Sequence, residues 1–127
     1  MAIGAPDWYR TSKVSVSTLM SGIGRWYYTF SIDVDPETSG TVSLWTVPSG
    51  YRLYLTLLNV SCDASVVQYV ALLRDSYIFA QTYFDSQGHI QFYFPANAGE
   101  TIKIMLTNYD SAVRNFVGGL YGYTEKI

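Results

Sequence analysis

The sequence is short of charge. Only 14% of its 127 residues are Asp, Glu, Lys or Arg, and the 8 basic and 10 acidic side chains are scattered singly for a formal net charge of −2. No basic stripe is present to neutralise a row of phosphates, so no nucleic-acid partner is expected. With Cys62 as the single cysteine, the chain has no intrachain disulfide and no Cys-ligated zinc or redox pair, and its core alone must hold the fold. That suits a reducing cytoplasm or a particle assembled in one. Nor does any uninterrupted apolar run reach the roughly 18–20 residues that cross a bilayer; the densest stretch, residues 66–73, already contains Gln68. The first ten residues lack both a basic start and an apolar stretch, with Asp7 among them, so neither membrane insertion nor an export signal is expected. In the same light the sequon Asn59-Val60-Ser61 reads as coincidence. Internal repeats of 20–50 residues and low-complexity linkers are missing as well.

What the chain has instead is apolar and aromatic bulk: 49% hydrophobic residues, with 12 Tyr, 6 Phe and 3 Trp. Such a composition is too hydrophobic and too weakly charged for a disordered chain. The length fits one domain with one core. Residues 1–11, where Gly4, Ala5 and Pro6 precede Asp7-Trp8-Tyr9-Arg10, read as an extended arm, and residues 12–127 as a single domain.

Alternation is clearest over residues 25–34, where Trp26, Tyr28, Phe30, Ile32 and Val34 interleave with Arg25, Tyr27, Thr29, Ser31 and Asp33. A two-residue period of this kind marks a half-buried strand. It recurs over residues 13–16, at Ile90, Phe92 and Phe94, and at Ile102, Ile104 and Leu106. Residues 41–47, 51–60, 66–73 and 77–84 are rich in β-branched and aromatic side chains and bounded by turn chemistry, and residues 113–123 supply a ninth strand. Helix competes at residues 66–73, where both faces are apolar; the β-branched pairs and flanking Asp and Ser favour a buried strand. One short helical turn is allowed, over residues 17–22.

Turn-forming groups such as Asp35-Pro36, Pro48-Ser49-Gly50, Arg74-Asp75, Asn97-Ala98-Gly99 and Asn108-Tyr109-Asp110 break the chain every eight to twelve residues or so, the spacing of sandwiches and barrels. An open sheet of this many strands would expose hydrophobic faces and long edges. The expected class is therefore all-β, an antiparallel two-sheet β-sandwich of about 8–9 strands. Periodicity leaves jelly-roll and immunoglobulin-like connections open, and the absence of a Cys…Trp…Cys spacing weighs against the second.

The second half carries Val47-Pro48-Ser49-Gly50 leading into Leu53 and Leu55, then Asp85-x-x-Gly88-His89-Ile90, then Pro95-Ala96-Asn97-Ala98-Gly99-Glu100-Thr101-Ile102-Lys103-Ile104, then Thr107-Asn108. This run, within residues 42–123, resembles small β-sandwich structural proteins of phage and virus particles, in which a V-P-x-G and an A-G-E-T-I strand start recur. The resemblance implies a jelly-roll sandwich on a capsid or tail surface, an oligomer made in the host cytoplasm and resident in the virion, with no catalytic residue to carry over. Each of these turns also solves a local geometric problem that unrelated sandwiches share.

Catalytic candidates are sparse. His89, the one histidine, sits in Gln87-Gly88-His89 and reads as a solvated turn residue; no G-x-S-x-G elbow is present, and Cys62 lacks the setting of a cysteine nucleophile. Asp33, Asp35 and Glu37 could offer oxygens to a hard cation, but alternation puts the first two on the polar face of a strand end, and no calcium-loop pattern surrounds them. Ser21-Gly22-Ile23-Gly24 fails as a phosphate loop. No catalytic, cofactor or metal site is expected.

The aromatic excess is the remaining signal, because tyrosine supplies stiff, amphipathic contact area at low entropic cost. Trp26, Tyr28 and Phe30 share an apolar face and belong to packing. Tyr27 and Tyr93 fall on the polar phase of their strands, Tyr109 lies in a turn, and Trp8 and Tyr9 lie in the arm; these five are the candidates for contact outside the monomer. Gly118, Gly119 and Gly122 mark either a bulge or a close approach by another backbone. The reading is a non-enzymatic assembly protein, partnered by its own copies, as a trimer, and by other particle proteins, with the arm ordering on a neighbour. Its alternative is a carbohydrate-binding or host-receptor-binding sandwich, in which aromatics such as Trp45, Tyr54 or Tyr93 would stack on sugar rings.

Overall fold

The computed structural model describes residues 23–127, and residues 1–22 are outside the description. The arm of residues 1–11 with Trp8 and Tyr9, the strand expected over residues 13–16 and the helical turn expected over residues 17–22 therefore lie outside the described residues. The rest of the sequence-based strand reading is found: β1 (Ile23–Val34), β2 (Thr38–Thr46), β3 (Tyr51–Cys62), β4 (Val67–Arg74), β5 (Tyr77–Asp85), β6 (Gln87–Ala96), β7 (Thr101–Asn108) and β8 (Arg114–Lys126). The ambiguous apolar run is strand β4, and no helix long and apolar enough to cross a membrane occurs among the described residues.

All neighbouring strands pair antiparallel, in the order β1-β8-β3-β6 for one sheet and β5-β4-β7-β2 for the other. Between β5 and β6 the only pairing is Asp85↔Gln87 at the hairpin tip, so the two four-stranded sheets separate there and pack face to face. This connectivity is a jelly roll, two Greek keys closed into a sandwich. Below, the β1-β8-β3-β6 sheet is called the front sheet and the other the back sheet.

Inward-facing residues of both sheets meet in one core. Trp26 and Phe30 of β1, Leu53, Leu55, Leu58 and Val60 of β3, Phe116 and Leu120 of β8, and Val70, Leu72, Ile102, Ile104 and Leu106 of the back sheet are all buried there. Burying each large side chain contributes about 1.5–3 kcal/mol, and this apolar interior takes the place of a disulfide. The sheets are sealed along the open β5/β6 corner by Phe79, which stacks on Phe94 at 3.9 Å and meets Phe92 edge-on at 5.7 Å.

Four connections gather at one end of the sandwich: residues 35–37, 63–66, 86 and 109–113. Two buried amides pin them. Gln68, within β4, donates from Nε2 to Asn108 Oδ1 at 2.8 Å and accepts the Tyr109 N–H on Oε1 at 2.7 Å. Asn108 donates to Val34 O at 3.0 Å and Ala112 O at 2.8 Å, and its Oδ1 also accepts the Asp110 N–H at 2.9 Å. Both amides are fully buried, and both have all their groups engaged, which is the condition under which interior polar groups are tolerated. Register shifts mark bulges in β2 at Leu44, in β3 at Thr56 against β8, and in β6, where Phe92 and Tyr93 stand against Thr56; those in β2 and β3 reset which side chains face outward beyond them.

Candidate functional site

The outer face of the front sheet is built from the polar phase of its strands. β1 offers Arg25, Tyr27, Thr29, Ser31 and Asp33; β8 offers Val117, Gly119, Tyr121 and Tyr123; β3 offers Tyr54, Asn59 and Ser61; β6 offers Gln87, His89, Gln91, Tyr93 and Pro95. Register divides this face into two zones. Toward the end where β1 begins, Tyr123 lies opposite Arg25 and Tyr54, and Tyr121 lies opposite Tyr27. Toward the loop end, Asn59 lies opposite His89 and Gly119, and Ser61 opposite Gln87 and Val117.

The aromatic zone draws on all four strands in two separate stacks. Tyr123 stacks on Tyr54 with centroids 4.9 Å apart, Tyr54 on Tyr93 at 5.7 Å, and Tyr121 on Tyr27 at 6.5 Å, the ring planes within 20° to 23° of one another in each pair. Those spacings follow from the interstrand distance, so the rings stand on edge like rungs. Within each stack the rings cover one another's faces, while Tyr93 at the end of its stack stays exposed. Charged groups finish the rim: Tyr54 donates to Glu125 Oε1 at 2.8 Å, and Arg52 Nε donates to Asn97 Oδ1 at 3.0 Å. Loss of solvent around Tyr93, then its hydrogen bond to Tyr123, push the Tyr93 phenol above its ordinary value, so it stays protonated and remains a donor at physiological pH.

Of the five sequence-derived contact residues, Tyr27 and Tyr93 are brought into this zone at its two ends. Tyr109 is not: it lies in the loop-end cluster, 6.4 Å from Tyr83, which in turn packs against Tyr69 at 5.0 Å on the back sheet. Desolvation and a hydrogen bond to Tyr83 push its phenol up too. Trp45 also departs from the expected sugar-stacking face. The β2 bulge pairs it with inward-facing Ile102, and it packs against Trp26 at 5.2 Å inside the sandwich. Sequence reasoning passed over Tyr121 and Tyr123, although Phe116 and Leu120, four apart, set the inward phase of β8 and leave both tyrosines outside.

The glycines of β8 serve close approach within the chain's own sheet. A Cβ on Gly118 would collide with Asn59 O and Phe30, and one on Gly122 with Tyr54 O, while Gly119 accommodates the overlying Tyr121 ring.

His89 is on a strand, not in a turn. Its Nδ1 lies 2.9 Å from Asn59 Oδ1 and donates to it in the Nδ1–H tautomer, leaving Nε2 toward solvent. Asn59, Ser61, Gln87, His89 and Val117 line a shallow groove at this point. Asp33 accepts from Asn115 Nδ2 at 2.9 Å, Asp35 accepts Thr38 Oγ1 on its backbone oxygen, and Glu37 takes a left-handed turn position with φ of 57°. No group of three His, Cys, Asp or Glu suited to a metal is assembled among the described residues.

At the loop end, Arg114 Nε donates to Asp110 Oδ2 at 2.6 Å and Nη1 lies 3.6 Å from Asp63. The bond to Arg114, then the Ser111 N–H, hold the Asp110 carboxyl below the usual carboxylate range. A depressed folded value means that the stabilisation is present above the unfolded-state pKa and is lost as pH falls through the folded one. Asp110→Asn is accordingly expected to lower the urea midpoint at pH 7, with the two proteins converging as pH falls through the depressed folded value of the carboxyl; a difference that persists in strong acid would break this assignment.

Among known proteins, no family and no curated sequence matches this chain. Solved structures do. PirA aligns over 74% of this chain and 93% of its own length at 14% identity, with a TM-score of 0.50. Dimeric latent PorU from Porphyromonas gingivalis aligns over 93% of this chain but only 14% of its own, at 10% identity and a TM-score of 0.50. The virus-like particle of the giant freshwater prawn (Macrobrachium rosenbergii) extra small virus aligns over 96% of this chain and 92% of its own, at 16% identity and a TM-score of 0.32. Identities this low speak for the fold alone.

Proposed function

We propose that this protein is a structural and assembly component of a particle, a capsid or tail surface jelly roll that works by adhesion and not by catalysis. The supporting observation is the on-edge tyrosine ladder, Tyr27-Tyr121 beside Tyr123-Tyr54-Tyr93, on the outer face of the front sheet. Stiff aromatic edges with donor hydroxyls suit contact with another protein surface, where tyrosine concentrates binding energy. A chain with 14% charged residues also has few ionic groups with which to solvate that face. The phage- and virus-type strand starts support the particle context.

Sedimentation of the full chain is expected to show a concentration-dependent oligomer, and Tyr123→Ala to weaken it by about tenfold or more with unchanged circular dichroism. A wild-type monomer at every concentration would remove this reading. The glycan-binding alternative draws on the exposed ring of Tyr93, at 62% exposure, and on the groove of Asn59, Gln87 and His89 farther along the same face. A glycan-array signal lost in Tyr93→Ala, with no self-association, would put that reading in its place.

A further inference from the structure

The corner where the sheets part leaves β6 with one partner. It pairs with β3 along most of its length but with β5 only at Asp85↔Gln87, so from Gly88 onward its second edge has backbone groups with no strand beside them among the described residues. Edge strands are ordinarily blunted by charge, by bulges or by proline. β6 reads Gln-Gly-His-Ile-Gln-Phe-Tyr-Phe-Pro-Ala, without one charged side chain, and its single proline, Pro95, comes at the end. The front sheet's opposite edge, β1, carries Arg25 and Asp33. Burial alternates along β6 although its register against β3 shifts at Phe92 and Tyr93, which together face Thr56, and the inward Ile90 and Phe92 are only half-buried although they pack against the core.

We infer that β6 is a self-association edge: two copies of this chain pair β6 to β6, antiparallel about a two-fold axis at Gln91, and join their front sheets into one eight-stranded sheet. This inference rests on the assembly reading above and names one of its contacts; the two-fold departs from the trimer expected from the resemblance.

Symmetry and side-chain phase select the register. An antiparallel pairing must keep outward residues opposite outward residues, because a slip by one would turn the faces over. Centring on Gln91 uses the whole stretch from Gly88 to Phe94 and leaves Pro95, which has no N–H, just beyond it. His89 then lies opposite Tyr93 of the second copy, and Ile90 opposite Phe92, each pair occurring twice. The first pair sets a phenol beside a free imidazole Nε2, since the other ring nitrogen is engaged by Asn59. It also extends the Tyr123-Tyr54-Tyr93 stack by one more ring, on the Tyr93 face that solvent now covers. The second pair covers the half-exposed apolar corner. Charge complementarity points to a second copy as the occupant: β6 brings no charge of its own, and the one guanidinium at its end, Arg74 over the Phe94 ring, lies 3.8 Å from Glu100, so the edge meets itself without strong repulsion.

The full-length Gln91→Cys variant tests this directly. Cys62 is buried, so the introduced thiol is the accessible one, and cross-strand neighbours lie within disulfide reach after small adjustment. Mild oxidation is expected to give a covalent dimer in high yield, while Ser43→Cys, on the edge strand β2 of the back sheet, stays monomeric on a non-reducing gel. Gln91→Lys sets two ammonium groups against each other at the axis and is expected to weaken self-association more than about tenfold with unchanged circular dichroism. An oligomeric wild type combined with no Gln91→Cys dimer, or with equal crosslinking of both cysteine variants, overturns the β6 contact and leaves the assembly reading standing. Gln91→Lys that associates as tightly as wild type does the same. A wild type that sediments only as a monomer overturns both.

Discussion

Replacing Asn108 by alanine is expected to remove about 4 kcal/mol of stability and to lower the melting temperature by roughly 15 °C. Five hydrogen bonds converge on this fully buried side chain, and its removal leaves Val34 O, Ala112 O and one Gln68 N–H without partners in a space walled by strands from both sheets. Each stranded group costs about 1–3 kcal/mol where water cannot replace the lost partner. Leucine is expected to fare no better, since it fills the volume and satisfies nothing. Asn108→Asp separates polarity from size: its carboxylate would face two carbonyl oxygens, so burial and repulsion raise its folded pKa. The variant should then regain stability as pH falls through that raised value, when the neutral carboxyl can donate. Thermal and urea melts across pH read all three. An Asn108→Ala melt within about 1 kcal/mol of wild type would mean that the four loops at this end are held by something else.

Gly118→Ala is expected to be nearly as damaging, at about 3 kcal/mol or more, with much of the protein lost to aggregation. The added methyl would enter the space held by Asn59 O and by Phe30, and Asn59 belongs to the strand that pairs with β8 in the middle of the front sheet. A flexible side chain could swing away; a paired backbone carbonyl cannot move without parting β8 from β3. Gly40→Ala is the control, because no atom lies within 4 Å of the position its Cβ would take. That change should stay within about 0.5 kcal/mol of neutral. If both substitutions prove equally mild, strand separation at Gly118 is wider than the close approach requires.

Strand positions were legible in the sequence because alternation and turn chemistry are local properties. Residues 25–34 announce a half-buried strand from one side chain to the next, and β1 is that strand. Sheet membership was not legible, since nothing near Tyr27 indicates that β8 lies between it and Tyr54. The bulges account for a further loss: the one at Leu44 turns Trp45 into the sandwich, and no residue type marks its place. Gln68 looked like an interruption of an apolar run and proves to be half of the amide pair that fastens the loop end. Its partner Asn108, forty positions later, stands in the sequence beside Tyr109 and Asp110 with the chemistry of a turn. Two amides that satisfy each other across that separation carry no periodic signature. Phase alone identifies Tyr27 and Tyr93, whereas the stacking of one on Tyr121 and of the other on Tyr54 and Tyr123 is a property of strand order.

That strand order also sets a sequence of events in time. β1 owes its entire ladder, from Ile23↔Glu125 to Val34↔Arg114, to the last strand of the sheet. On a ribosome, β1 emerges first among the described strands and waits, with Trp26 and Phe30 uncovered, until β8 has been made. Long-range closure of this kind makes for a slow search, with refolding roughly in the millisecond-to-second range. During that interval the nascent chain holds an unpaired, aromatic-rich strand, the form in which β proteins are most open to mispairing with other chains.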